Sequence, residues 1–315
     1  MPGSLIIDAH MHLYQTREQG EYNKAGYDVW EYGEHPDVTF SDRSGVPGEA
    51  LEAMRRSGVS YAIVVNLFAT IETGGRLVEL LPGAPGGSVD GSSHEIPLGD
   101  RLKSFNRWLV ELGKVHEELL PFVAIDPWAL SPGENQAHLA DLVESGGARG
   151  VKIHPVIQRF EAADERLSPA FETCAELDLP VVAHAGPSRG SVRFGEPAAF
   201  AGVLQRFPRL KLVLAHLGGG AWRDVERFAR DFPNAYFDCS EILHWTGAGG
   251  GPTPDRLAGL IRDIGASRVL FGSDFPWYDL DTSIEALDRL PLAEEEKAAI
   301  AGLNAARLLG ISGES

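Results

Sequence analysis

The chain alternates short apolar runs with amphipathic segments, and it does so eight times. The runs have the length and β-branched content of strands, and they are Leu5–Ala9, Tyr61–Val65, Phe122–Ile125, Val151–Ile153, Val181–Ala183, Leu212–Ala215, Ala235–Phe237 and Val269–Phe271. Most are too continuous for half-exposed strands, which favours parallel strands buried on both faces. Strand followed by helix, repeated eight times, is the pattern of a (β/α)8 barrel.

Between and after these runs lie the segments with helical periodicity. They are Gly48–Arg56, Leu102–Glu118, Asn135–Glu144, Ala170–Leu177, Pro197–Phe207, Trp222–Phe232, Pro254–Ile264, Ser283–Leu290 and Glu294–Leu309. The main alternative, an open doubly wound sheet, should carry a glycine-rich phosphate loop after its first strand, but here His-Met-His follows instead. We therefore predict an α/β fold, a single TIM barrel domain spanning residues 1–315.

Two connections exceed the usual loop length, and both would project from the face of a barrel where substrates bind. Residues 13–47 follow the first strand and are rich in aromatic residues, which predicts a packed lid. Residues 70–98 follow the second strand and are rich in glycine and proline, which predicts a mobile loop.

Charge and composition exclude several classes of protein. Lys and Arg number 28 against 45 Asp and Glu, so the net charge of −17 argues against a nucleic-acid partner. The two cysteines, Cys174 and Cys239, suit neither a disulfide framework nor a thiolate metal site. No signal peptide is visible, and no apolar run approaches the ~20 residues of a membrane span. We expect a cytoplasmic protein with no membrane partner.

Polar residues stand at the ends of the predicted strands. They are His10, His12, His154, His184, His216 and Asp274. Strand alternation places His10 and His12 on the same side, and barrel closure brings all these ends to one rim. Imidazole and carboxylate ligands suit Zn²⁺, with manganese, iron and nickel as alternatives. The other histidines considered, His94, His116 and His138, fall in loop or helix segments and are interpreted as surface residues.

Four motifs carry a family resemblance. In chain order they are Asp-Ala-His-Met-His, Ala-His-Ala-Gly, Leu-Ala-His-Leu-Gly-Gly and Gly-Ser-Asp-Phe-Pro-Trp. Together they resemble the amidohydrolase superfamily, and most closely its amidohydrolase 2 branch of TIM-barrel metal-dependent hydrolases, which includes aminocarboxymuconate-semialdehyde decarboxylase. The similarity runs from residue 5 to about residue 311, including a closing helix at Gly302–Leu309.

The resemblance implies roles for individual residues. His10, His12, His184 and Asp274 would bind the metal, and His216 would polarise the substrate or transfer a proton. Asp274 would also carry a proton as the catalytic acid or base. In some superfamily members a carboxylated lysine bridges two ions, and Lys152 is similar to it. Lys152 could instead neutralise a substrate carboxylate, so a single ion is expected and a second remains an alternative.

The expected partner is a small-molecule substrate. His154, Arg189, Arg193 and Trp277 are candidate substrate-binding residues, while Glu241, His244 and Trp245 would line the rim. The leading prediction is a hydrolase that cleaves an ester, lactone or amide bond with metal-activated water. One alternative is a metal-dependent decarboxylase of an aromatic or enoic acid, and another is a non-catalytic small-molecule-binding barrel. The oligomeric state is not readable from the sequence, although relatives are often dimers, so a homodimer is one alternative.

Overall fold

Eight parallel strands form a barrel in the computed structural model, which describes residues 5–27, 39–68, 70–73, 76–79, 96–187 and 193–311. The barrel strands are β1 (Ile7–Met11), β2 (Tyr61–Val65), β5 (Leu119–Ala124), β6 (Gly150–Ile153), β7 (Val181–Ala183), β8 (Leu212–Leu214), β9 (Tyr236–Asp238) and β10 (Val269–Leu270). Neighbours pair in chain order, β1-β2-β5-β6-β7-β8-β9-β10. Each predicted run overlaps one of these strands, so the TIM barrel prediction is confirmed.

Backbone hydrogen bonds close the barrel between the first and last strands. Ala9 N donates to Phe271 O at 2.8 Å, and Asp274 N donates to His10 O at 2.8 Å. Farther along, His12 N donates to Phe275 O at 2.7 Å. These bonds form a seam that joins β1 to the segment after β10, so the first and last strands meet and close the barrel.

Helices pack outside the strands near the positions that periodicity predicts. They are α1 (Arg17–Tyr27), α2 (Pro47–Ser57), α3 (Leu98–Val115), α4 (Pro132–Glu144), α5 (Pro155–Gln158), α6 (Ser168–Glu176), α7 (Ala201–Arg206), α8 (Val225–Asp231), α9 (Ile242–Trp245), α10 (Pro254–Ile264), α11 (Leu280–Asp288), α12 (Glu294–Ala298) and α13 (Asn304–Leu309). A π-helical turn, Ala299–Leu303, joins the last two. Helix α4 begins as sequence rules predict: Ser131 forms a capping box with Glu134 ahead of Pro132.

The barrel interior is filled by alternate residues of the strands. Phe122 is fully buried inside, and a Cβ on Gly150 of the adjacent strand would lie 2.4 Å from its ring, so only glycine fits there. Ala305, Ala306 and Leu308 of α13 join the same interior cluster. This C-terminal helix covers the amino end of the barrel, which leaves the carboxyl end to form a site.

The two long connections contain secondary structure that the sequence analysis did not predict. Helix α1 follows β1, and an antiparallel hairpin of β3 (Thr70–Thr73) and β4 (Arg76–Glu79) follows β2. Residues 28–38 of the predicted aromatic lid and residues 74–75 and 80–95 of the predicted glycine-rich loop lie outside the described residues. Within the described ranges, no helix is long and apolar enough to cross a membrane.

The interpretation of His138 as a surface residue is wrong. It lies on α4 with Asn135, Leu139 and Leu142, the residues that this helix buries, so it belongs to the helix face that packs inward. Burial lowers the pKa of His138 to about 4, and the charges of Arg107 and Lys103 add to the effect. His116 is partly exposed, and His94 lies outside the described residues.

Replacing His138 by leucine should make the protein more resistant to acid. The folded-state pKa of about 4 lies below the unfolded value of 6.5, so the wild-type free energy of unfolding falls as pH drops through this interval. At pH 5 the wild type should lose about 2 kcal/mol of this free energy relative to pH 7, a loss that H138L avoids. Urea unfolding at both pH values measures the difference. Equal pH dependence in the two proteins would contradict a buried neutral His138.

Candidate metal centre

A pocket opens at the carboxyl end of the barrel. It is lined by His10, His12, Leu67, Lys152, His154, His184, His216, Glu241, Asp274 and Trp277. These residues come from the ends of seven barrel strands or the segments just after them, which is where TIM barrels place their active sites. The structure thus brings together residues that are up to 267 positions apart in sequence (10 against 277).

A register shift in β1 turns both of its histidines toward the pocket. Ile7 and Ala9 point into the barrel interior, and simple alternation would point His10 the other way. The pairing of β1 with β2 shifts between Asp8 and Met11, an irregularity of the bulge type that re-aims side chains. His10 and His12 therefore share the pocket, as the sequence predicts, although a regular strand would not put Ala9 and His10 inside together.

His10, His12 and Asp274 are spaced as ligands of one ion. Asp274 Oδ1 lies 3.4 Å from His12 Nε2 and 3.7 Å from His10 Nε2. Two donors bound to one tetrahedral ion at about 2.0–2.2 Å lie roughly 3.3–3.6 Å apart. Potential ligand atoms of all three residues fall within 4.8 Å of one another. This spacing fits a divalent metal ion.

The protonation states also suit a metal. Burial lowers the pKa of His10 to about 3, with the Lys152 cation adding to the effect, and burial lowers the pKa of His12 and His184 in the same direction. Burial acts to raise the pKa of Asp274, but the hydrogen bond with His12 and the facing histidines hold it below its ordinary value. Neutral imidazoles and an ionised carboxylate are the forms that bind metals.

Three pocket residues adopt a left-handed backbone conformation that is rare outside glycine. The φ angles of His216, Glu241 and Asp274 are +59°, +59° and +61°. Each such backbone conformation raises the free energy of the folded state by of order 1–3 kcal/mol, and it persists only where surrounding contacts enforce it. Asp274 is enforced by the seam bond from its N–H to His10 O, and the His216 N–H donates to a buried carboxylate, Asp238, at 3.0 Å. Strain concentrated in one pocket is typical of a functional site.

His184 and His154 form a stacked pair at the pocket wall. Their ring centroids lie 3.8 Å apart with an angle of 9° between the planes. His184 Nδ1 is 3.2 Å from His216 Nε2, and His154 Nδ1 accepts from the N–H of Ile157 at 3.3 Å. Since Nδ1 of His154 is an acceptor, its proton resides on Nε2.

The described residues could hold a divalent ion through His10, His12 and Asp274, and His184 lines the same pocket. Lys152 completes the cluster: its Nζ lies 3.2 Å from His10 Nε2, so an ammonium group faces the same lone pair that a metal would use.

A Cβ on Gly272 would approach His10 Cβ to 3.0 Å and Ser240 Cβ to 2.9 Å, so the tight packing of this cluster requires glycine there.

Sequence reasoning missed Asp238. It is fully buried at the end of β9, and its Oδ2 accepts from His10 Nδ1 at 2.9 Å. This carboxylate binds the His10 ring on the side opposite the pocket. The proton of His10 is therefore on Nδ1, and the lone pair on Nε2 faces the pocket. Asp238 directly follows an apolar run, as His184 and Asp274 do. Asking of every acidic residue whether it directly follows an apolar run would have identified Asp238.

Other predicted substrate or rim residues lie elsewhere. The side chain of Arg193 is 74% exposed and pairs with Glu196 at 3.3 Å, so the structure does not place it in the pocket. Arg189 lies outside the described residues. His244 stacks on Tyr278 at 4.1 Å, and Trp245 is buried in the core. Of the predicted rim, Glu241 and Trp277 line the pocket.

Comparison with known proteins gives one family over nearly the whole chain. A family model described as amidohydrolase matches residues 7–311. A curated relative, gamma-resorcylate decarboxylase of Rhizobium sp. (strain MTP-10005), is 32% identical over 127 residues, which cover 36% of this chain and 38% of that protein. The matched region thus spans well under two thirds of the relative's length.

Solved structures show the same fold across the full length. An uncharacterised TIM-barrel protein from Bordetella bronchiseptica superposes with a TM-score of 0.70 at 20% identity, covering 98% of this chain and 99% of its own. A dihydroxybenzoic acid decarboxylase from Polaromonas sp., solved with bound manganese and the inhibitor 2-nitroresorcinol, gives a TM-score of 0.68 at 16% identity, with coverages of 98% and 97%.

Removing either strand-one histidine should abolish tight metal binding. His10→Ala and His12→Ala each delete an imidazole next to Asp274, and the loss of affinity should exceed the roughly 10–100-fold that an outer hydrogen-bond partner costs. Elemental analysis and competition with a chelator measure it, with circular dichroism to confirm folding. His138→Ala removes a buried histidine of α4 outside the pocket and should bind metal normally. Unchanged metal content in both pocket variants would make this site assignment wrong.

Proposed function

This chain belongs to the amidohydrolase family and is an enzyme, and from that premise we propose that it is a metal-dependent, non-oxidative decarboxylase of an aromatic carboxylic acid. Hydrolysis is the activity in the family's name, but the curated relative and the Polaromonas neighbour reported above are named decarboxylases. These names support the alternative of the sequence analysis better than its leading prediction of a hydrolase.

The observation that carries the proposal is Lys152. Its side chain is buried, its Nζ faces His10 Nε2 at 3.2 Å, and it lines the pocket beside the proposed ligands. An ammonium group and a divalent ion in one buried pocket repel each other, and an anion bound between them, in addition to Asp274, reduces this repulsion. A substrate carboxylate supplies that anion, whereas a neutral ester or lactone does not.

The remaining pocket groups suit an aromatic ring with polar substituents. Trp277 offers an apolar wall and contacts the His12 ring edge-on at a centroid distance of 5.1 Å. His154, with its proton on Nε2, can donate to an oxygen of the substrate. Burial keeps the pKa of His154 well below its ordinary value, so this donor is neutral and does not add charge to the pocket.

We assign the metal to His10, His12, His184 and Asp274 as a single divalent ion. Nitrogen-rich donor sets favour Zn²⁺, and Mn²⁺ is the ion present in the Polaromonas enzyme. When bound, the ion would act as a Lewis acid toward oxygens of the substrate. A carboxylated Lys152 that bridges a second ion is the alternative, and two ions per chain together with a carbamate on Lys152 would support it.

The chain's own residues bind the acid and deliver one proton. Lys152 Nζ would pair with the carboxylate, and His154 would fix the ring position. The bond between the ring carbon and the carboxylate carbon then breaks, CO₂ leaves, and the electron pair stays on the ring carbon. We assign delivery of the proton that this carbon takes up to Asp274, which is ionised at rest and would first take up a proton that comes from solvent. Potential ligand atoms of Asp274, His216 and Glu241 lie within 4.8 Å of one another, so Glu241 can pass that proton to Asp274.

Matched substrates distinguish decarboxylation from hydrolysis. The metal-loaded enzyme should convert 2,6-dihydroxybenzoate, or another hydroxybenzoate of a small panel, to the phenol and one CO₂, and should leave the methyl esters of the same acids intact. Chromatography of the products and CO₂ release measure both reactions. Hydrolysis of the esters with no turnover of the acids would contradict the proposal and support the hydrolase instead.

The Lys152→Met variant tests the carboxylate contact. Loss of one charge-assisted hydrogen bond costs about 1.5–3 kcal/mol, so KM for the acid should rise roughly 10- to 100-fold. Lys211→Met is the control, because Lys211 pairs with Asp178 on the outer surface, away from the pocket. An unchanged KM in the Lys152 variant would remove the main argument for an anionic substrate.

A further inference from the structure

A single buried carboxylate, Asp238, connects the elements that carry the proposed ligands. It does not line the pocket, yet its Oδ2 accepts from His10 Nδ1 at 2.9 Å. Its Oδ1 accepts from the backbone N–H of His216 at 3.0 Å and of Ser240 at 3.1 Å. All of these groups are almost completely excluded from water, so each hydrogen bond must be satisfied within the protein.

The direction of each hydrogen bond follows from the carboxylate. An ionised carboxylate only accepts, so the Ser240 hydroxyl donates to Asp238 Oδ1 in a short contact. The Ser240 oxygen is then an acceptor for His216 Nδ1, at 2.8 Å, which places the His216 proton on Nδ1. His216 Nε2 is consequently an acceptor, and His184 Nδ1 donates to it at 3.2 Å.

We propose that Asp238 is a positioning residue that sets the tautomer of three histidines through two arms. The short arm is the direct bond to His10 Nδ1. The long arm runs through Ser240 and His216 to His184. Both arms place the proton on Nδ1, so His10 and His184 keep their lone pairs on Nε2 for the metal. This proposal rests on the ligand assignment given under the proposed function.

The two arms are structurally separable, and Ser240 belongs only to the long one. Ser240→Ala removes the hydroxyl between Asp238 and His216, which releases His216 and His184 to take either tautomer while the bond from His10 to Asp238 remains. Asp238→Asn affects both arms, since an amide presents a donor where the carboxylate accepted.

Metal affinity gives the first test. Ser240→Ala should weaken binding of Zn²⁺ or Mn²⁺, measured by chelator competition, by about 10-fold, and Asp238→Asn should weaken it further, within or above the 10- to 100-fold range of such partners. Ser283→Ala is the matched control: Ser283 is also buried, and its hydroxyl meets His244 Nε2 at 2.9 Å outside the pocket. It should bind metal as the wild type does. Wild-type affinity in Ser240→Ala would overturn the long arm.

Nitrogen NMR of the wild-type, metal-free protein gives the second test and needs no substitution at Asp238. Imidazole ¹⁵N shifts, assigned with single His→Gln variants, should show the Nδ1–H tautomer for His10, His216 and His184. His154 should show the opposite, Nε2–H tautomer and serves as an internal standard. A proton on Nε2 of His184 or His216 would refute the relay. Because this measurement uses no metal or substrate, it decides the relay even if the enzyme proves not to be a decarboxylase.

Discussion

The hydrogen bonds of the seam between β1 and the segment after β10 make the site. Without them, His10 and His12 would lie at one edge of an open sheet and Asp274 at the opposite edge. The bonds Ala9 N to Phe271 O, His12 N to Phe275 O and Asp274 N to His10 O bring these residues side by side. Asp8 reinforces the seam, because its Oδ1 accepts from Ser273 N at 2.9 Å. Closure therefore creates both the barrel and the cluster of ligands.

Burial then sets the chemistry that the closed barrel offers. Imidazoles packed this closely would repel if protonated, and desolvation keeps them neutral. The carboxylates of Asp238 and Asp274 stay ionised because histidines and donors face them, although burial alone would raise their pKa. The result is a pocket of buried side chains with lone pairs, one ammonium group and strained backbone positions. These lone pairs and the Asp274 carboxylate would stabilise a bound cation. The arrangement is therefore better explained by metal binding than by a purely structural role.

The strands and most pocket residues were predictable because they follow from periodicity and chain position. Apolar runs mark buried parallel strands, and a polar residue directly after a run lies at the carboxyl rim, as for His184 and Asp274. The position of such a residue in the sequence does not determine the direction in which its side chain points. Asp126 also follows a run, yet its Oδ1 caps a turn through Trp128 N at 2.7 Å, and Asp238 turns behind the ligands. The β1 register shift, which aims His10, depends on contacts between strands and leaves no mark in the sequence.

The central claim is that one divalent ion binds where the ends of β1, β7 and β10 meet. Anomalous diffraction from crystals of the metal-loaded protein, recorded above and below the absorption edge of Zn or Mn, tests it directly. The account predicts one strong peak about 2.0–2.2 Å from ligand atoms of His10, His12, His184 and Asp274. A peak elsewhere, or a fully loaded crystal with no peak among these residues, would contradict it.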